Sequence, residues 1–250
     1  MPQSLETSRD GRVLRLKMNR PEKRNALNYD LCRSLVEAME NAESDAAVGA
    51  ILLCGEGPSF CAGMDLEEIL TPADEAIGAI HERLFTVGSR VFKPIIAAVD
   101  GAALAGGVGL LANAHIVVAS EVSTFGLTEI RIGLWPFLIF RAVSLAIGER
   151  RTVELTITGR IFHAAEARDI GLIHHIGPLE RAEELAAATA AMSPEALRAG
   201  LQFVDEIRGQ SWPVAGAASI RYRNELFRSA RFQEGVRDFR AKRRLHETSR

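Results

Sequence analysis

Two glycine-bearing loops, about forty residues apart, constrain this chain more than any other feature. The first lies in Ile51–Leu66, ILLCGEGPSFCAGMDL, and the second in Pro94–Ala112, PIIAAVDGAALAGGVGLLA. Each follows an apolar run of strand length. Small residues there let the backbone turn and approach a ligand or another segment closely, which a Cβ forbids. Two such loops facing one another would aim two backbone N–H groups at a single oxygen. That arrangement stabilises the enolate-like oxyanion of an activated acyl group, and loss of one donor costs about a hundredfold in rate. The same spacing also suits two ordinary strand-to-helix turns of an α/β protein.

The rest of the chain reads as mixed strand and helix over its first two-thirds and helix thereafter. Residues 12–18 alternate as an early strand, and Asn28 is placed to cap a helix running to about Ser44, with Leu31, Leu35, Val36 and Met39 at helical spacing. Short buried strands are predicted at 47–53, 95–99, 115–119 and 172–176. Helix is predicted over about 66–90, broken near Thr71-Pro72, and again from Phe137. Gly106 to Ala112 is small and apolar all round, as in a helix buried on every side, and its N-terminus would favour a developing negative charge. Beyond Leu179 the pattern is helical to about Lys242, with Ser193-Pro194 as cap and first helical position.

At 250 residues, 47% hydrophobic and 25% charged, the chain has a globular balance with ample core and no disorder signature. A net charge of -2 provides no field for nucleic acid. The longest apolar stretch, 132–148, is interrupted by Pro136 and Arg141, so no membrane partner is expected, and the N-terminus shows no secretory signal. Cys32, Cys54 and Cys61 read as reduced thiols of a cytoplasmic protein, Cys61 as a packed thiol rather than a nucleophile. The six histidines form no metal-ligand motif, and no metal site is expected.

The two loops, together with MNRPEKRNALN at 18–28, FGLTEIRIGL at 125–134 and FQEGVRDFRAKR at 232–243, resemble the crotonase superfamily, the enoyl-CoA hydratase/isomerase group. The resemblance spans nearly the whole chain, in order. It implies an α/β fold, a crotonase-like ββα spiral core over 1–190 with a C-terminal helical region at 191–250 used in trimerisation. It implies an acyl-CoA substrate, no cofactor beyond that CoA thioester, and a homotrimer or homohexamer.

Carried over residue by residue, the resemblance makes the Met64 and Gly106 backbone N–H groups the oxyanion donors and Glu129 the catalytic acid–base. Ala105 stands where relatives carry the first glycine of a triple, and the hydratases' other glutamate falls at Gly109, which can do no acid–base chemistry. The CoA moiety would meet Lys23, Arg24, Ala26, Leu27, Ala62, Asp65 and Leu66, with Phe239 and Lys242 reaching it from the C-terminal helix. Glu67 replaces a lysine common in relatives. Trp135, Phe137 and Phe140 are candidate apolar walls around Glu129, with Met64 and Leu70 narrowing the acyl pocket. One carboxylate suffices to move a double bond by taking a proton from C2 and returning it at C4, so the pattern favours an enoyl-CoA isomerase. The alternatives are a hydratase or other enolate-forming lyase, and a non-catalytic acyl-CoA-binding homologue.

Overall fold

The computed structural model describes residues 3–69 and 75–248, with side chains except those of 69 and 241–248. The chain divides into two compact units, Met1–Ala191 and Met192–Arg250. The expected break near Thr71-Pro72, and Leu70, lie outside the described residues.

The first unit opens with a hairpin, β1 (Leu5–Asp10) and β2 (Val13–Met18), turning at Gly11. Helix α1 (Tyr29–Ser44) leads to β3 (Ala50–Gly55), parallel to β2, and α2 (Leu66–Ile69) and α3 (Glu75–Phe85) lead to β4 (Ile95–Val99), parallel to β3. After β4 the chain changes sheet. Strand β5 (Ala102–Leu104) starts a second layer, and α4 (Gly106–Ala112) returns the chain to β6 (Ile116–Ala119), which pairs with β4. Strand β7 (Thr124–Gly126) then pairs with β5, so β4–β5 and β6–β7 each contribute one strand to each sheet. Helices α5 (Phe137–Ile147) and α6 (Glu149–Thr158), β8 (Phe162–His163), α7 (Ala164–Asp169), β9 (His175–Ile176) and α8 (Glu180–Ala190) complete the unit. The sheets run β1-β2-β3-β4-β6-β9 and β5-β7-β8.

Local chemistry accounts for these elements. The Asn28 side chain accepts from the Leu31 N–H at 3.1 Å, so α1 starts where its cap dictates, and its buried stripe is Leu31, Leu35, Val36, Met39 and Ala42. Strand β4 is buried along its whole length, as its unbroken apolar sequence requires. Ile95, Ala97 and Val99 face the main core with α1, α3 and α4, while Ile96 and Ala98 face Ala182, Ala186 and Ala190 of α8. Those alanines, one turn apart, let α8 come close. A Cβ on Gly49 would lie 2.7 Å from the Ala190 carbonyl oxygen.

Three differences from the sequence reading stand out. Strand β1 buries only Leu5 and gains its order from pairing with β2, so its polar sequence carries no strand signal. The strands of the second sheet are two or three residues long, too short to show a period. Of the strand expected at 172–176, only His175 and Ile176 pair, while Leu172 and Ile173 are core residues.

The second unit consists of α9 (Pro194–Glu206), α10 (Trp212–Arg228) and α11 (Ala230–Thr248). The Ser193 hydroxyl accepts from the Ala196 N–H, with Pro194 as first helical residue. Within the unit, Phe203 meets Tyr222 edge-on and Phe227 stacks on Phe232.

One polar residue ties the 20–27 loop to the first glycine-bearing loop. Asn25 is fully buried at φ 54; its amide donates to the carbonyls of Glu56 (2.9 Å) and Ser59 (2.8 Å) and accepts from the Arg20 N–H (2.9 Å). Replacement by alanine strands one buried and two part-buried main-chain groups and keeps a left-handed backbone that asparagine tolerates better. The Asn25→Ala protein is therefore expected to lose about 2–4 kcal/mol, read from urea midpoints against the parent.

Candidate active site

The first glycine-bearing loop is held edge to edge with the 20–27 loop. Leu27 N–H donates to the Gly63 carbonyl (2.8 Å) and its carbonyl accepts from Asp65 N–H (3.0 Å), a parallel bridge centred on Met64. In such a bridge the central residue turns its own N–H away from the partner strand. The Met64 N–H has no acceptor among the described residues.

The second loop leaves β4 through Gly101 (φ +68) and runs beside the first through the bridges Ser59–Gly101 and Cys61–Ala103. Gly106 opens α4, so its N–H has no partner within the helix. The position a Gly63 Cβ would occupy is only 3.5 Å from the Gly106 nitrogen. The two loops therefore touch at the residues that carry the free N–H groups.

Met64, Gly106 and Glu129 line one cavity of about 200 Å³, walled by Phe85 and the 134–139 segment. Glu129 starts a single 3-10 turn, Glu129–Ile132, between β7 and α5. It is 7% exposed, and among the described residues its Oε2 has no hydrogen-bond partner and no other ionisable side chain lines the cavity. Burial pushes its acid up to about 7, opposed only by its own backbone N–H. A group poised there serves as either base or acid near neutrality.

Gly109 lies outside the cavity lining. A Cβ there would be 2.3 Å from Ile139 Cγ2 and 3.1 Å from Phe85 Cδ1, so Ile139 fills the space a side chain at 109 would need. Trp135 and Phe137 line the cavity, whereas Phe140 lies outside its lining and meets Trp135 with rings tilted, 5.8 Å between centroids. Phe85, Leu134, Pro136, Leu138 and Ile139 complete the walls without having been singled out in the sequence. For Phe85 the available signal was its place with Leu84 on the apolar side of α3, which marks core and not pocket.

Most of the candidate CoA-contacting residues lie on the hydrogen-bonded 20–27 and 62–66 segments. Arg24 adopts a left-handed backbone and its carbonyl accepts from Ala62 N–H at 3.0 Å. Arg20 donates to the Ala26 carbonyl and pairs with the buried Asp65 at 2.8 Å, which makes Asp65 a structural tie. Leu27 is fully buried and Leu66 half-exposed. Lys23 pairs with Glu67 at 2.7 Å on the surface, so its ammonium is engaged by a carboxylate. In the second unit Phe239 is 69% exposed on α11, and the Lys242 side chain lies outside the described residues. Cys61 is fully buried beneath Gly107, and burial pushes its thiol up to about 12, a poor nucleophile.

The raised acid of Glu129 has a consequence for stability. Between the ordinary carboxylate range and about 7 the folded protein holds a proton that the unfolded chain has released, so stability falls as pH rises through that window. Glu129→Gln removes the buried charge. It is expected to be more stable than the parent at pH 8 by on the order of 2–3 kcal/mol, with the gain vanishing near pH 4, in matched denaturant titrations.

Comparison with known proteins identifies the family. The sequence pattern of the enoyl-CoA hydratase/isomerase family matches residues 8–249. Enoyl-CoA hydratase EchA19 of Mycobacterium tuberculosis is 36% identical over 247 residues, covering 94% of this chain and 92% of the relative. The mitochondrial Delta(3,5)-Delta(2,4)-dienoyl-CoA isomerase of Rattus norvegicus is 33% identical over 213 residues, 77% of this chain and 65% of that one. The crystal structure of enoyl-CoA hydratase from Mycobacterium smegmatis superposes with a TM-score of 0.91 at 27% identity, covering 96% of both chains. With two facing loops, a spiral of strand pairs and a family match over nearly its full length, this chain belongs to the crotonase superfamily as a member of the enoyl-CoA hydratase/isomerase family.

Proposed function

We propose that the protein moves the double bond of a 3-enoyl-CoA to the 2-position, with Glu129 as the only proton carrier. The observation that supports this most is that, among the described residues, the cavity holds a single carboxylate, combined with Ile139 occupying the space beside Gly109. Ionised Glu129 takes a proton from C2, the C2–H electron pair enters the thioester, and the oxygen of the resulting dienolate accepts from the Met64 and Gly106 N–H groups. The dienolate then collapses: C4 takes the proton back from Glu129, the 3,4 double bond becomes 2,3, and the carboxylate is regenerated. Apolar walls at Phe85, Trp135 and Ile139 exclude water and keep the charged intermediate dependent on the two donors.

Hydration of a 2-enoyl-CoA is the second reading, favoured by the hydratase names of several relatives. It would require Glu129 alone to serve both water and C2. The CoA moiety in either case would lie along Lys23, Arg24, Ala26, Leu27, Ala62, Asp65 and Leu66. Exposed apolar side chains on each unit, among them Ile132, Phe137 and Ile157 in the first and Trp212, Ile220 and Phe227 in the second, support self-association as a trimer or hexamer. Light scattering on the eluted protein is expected to give a multiple of three times the 27.2 kDa chain; a monomer would contradict it.

The activity test supplies trans-3- and trans-2-enoyl-CoA separately and follows the conjugated-thioester absorbance with product analysis. The expected result is conversion of the 3-enoyl substrate and no hydration of the 2-enoyl one. The acid limb of kcat/KM should titrate near the Glu129 value of about 7. Glu129→Gln should lose about a thousandfold in kcat with CoA affinity unchanged. A 3-hydroxyacyl product from the 2-enoyl substrate would establish hydration instead, and no turnover of either would leave a binding protein.

A further inference from the structure

Among the described residues three non-glycine positions have positive φ: Arg24 and Asn25 in one turn, and Ala105. Ala105 stands apart, because φ +49 with ψ −118 lies outside the left-handed helical region that some side chains tolerate. Such a conformation persists only where its surroundings over-determine it. Here the Ala105 N–H donates to the Gly126 carbonyl at 2.8 Å, its carbonyl accepts from Gly109 N–H at 3.2 Å, and Leu104 N–H is bonded to the Cys61 carbonyl at 2.9 Å.

Two details connect that conformation to the cavity. The ψ of Ala105 orients the peptide plane that carries the Gly106 N–H, just as Gly63 precedes the other free N–H at Met64. The methyl of Ala105 also faces Gly63, where a Cβ would lie only 2.8 Å from it. One loop thus fills with a methyl the space that the other leaves empty.

We propose that Ala105 is a positioning residue: its methyl, seated against Gly63, holds the two loops at fixed separation and fixes the direction of the Gly106 N–H. This rests on the oxyanion reading above. Glycine at 105 would accept the same φ and ψ without strain, yet would remove the contact with Gly63 and leave the peptide held by its main-chain hydrogen bonds alone. The variant is therefore stabilised and impaired at once, a combination that a purely structural role does not produce.

The test compares the parent with Ala105→Gly and Ala105→Ser. Glycine is expected to raise Tm by about 2–4 °C and to lower kcat about tenfold, with KM within about twofold. Serine keeps the Cβ and should retain kcat within about twofold. A readout independent of turnover is the carbonyl stretch of bound, carbonyl-13C-labelled butanoyl-CoA, which the donor pair lowers; the lowering should be smaller in Ala105→Gly. Equal carbonyl shifts in parent and glycine variant, an unchanged kcat, or a fall in Tm would overturn the role of Ala105 alone. A parent protein that binds no butanoyl-CoA would instead overturn the acyl-CoA reading on which it rests.

Discussion

The close approach of two backbone segments, 59–65 and 101–107, is the constraint on which the rest of the site depends. A Cβ on Gly101 would fall 2.0 Å from the Pro58 carbonyl oxygen, and one on Gly107 would fall 2.5 Å from that of Cys61. These are contacts with main chain, which cannot swing aside as a side-chain tip can. Bridges at Ser59–Gly101 and Cys61–Ala103 lock the register, and the free N–H groups of Met64 and Gly106 inherit their places from it. The change of sheet between β4 and β5 is what brings the second segment there. Fold and site are in this sense one feature: the strand pairs that build two layers also deliver the two loops to each other.

Glu129 shows the opposite economy, since its placement works against stability. A carboxylate with an unpartnered oxygen among Phe85, Trp135 and Ile139 is disfavoured when charged, and that same cost brings its acid to about 7. In the proposed reaction this is an advantage, because the group must both take and return a proton. Two other buried ionisable groups in the loops are treated differently. Asp65 is paired with Arg20, and Cys61 is held as an inert thiol under Gly107.

Much of the first unit was legible in the sequence because its elements carry their own signals. The Asn28 cap, the all-apolar β4 and the small residues of α4 each produced an element where expected. The second sheet was not legible, since strands of two or three residues are defined by pairing and not by periodicity. At the site, Met64, Gly106, Glu129 and Trp135 were singled out from motifs and do share one cavity. Gly109 was singled out too, but it faces Ile139 and not the cavity. Phe85 and Ile139 shape the walls from helices distant in the chain, and nothing in a local apolar pattern separates a pocket wall from core. The strain at Ala105 was visible only as a departure from a glycine; its meaning needed the backbone angles.

In the proposed reaction one carboxylate carries a proton between two carbons of a thioester without the help of water. The most direct measurement uses 3-enoyl-CoA dideuterated at C2, incubated with the protein in 18O water, with the product's isotopes located by mass spectrometry. The expected product is a 2-enoyl-CoA that carries deuterium at C4 and no 18O. A product containing 18O, or the absence of any product from this substrate, would contradict that reaction.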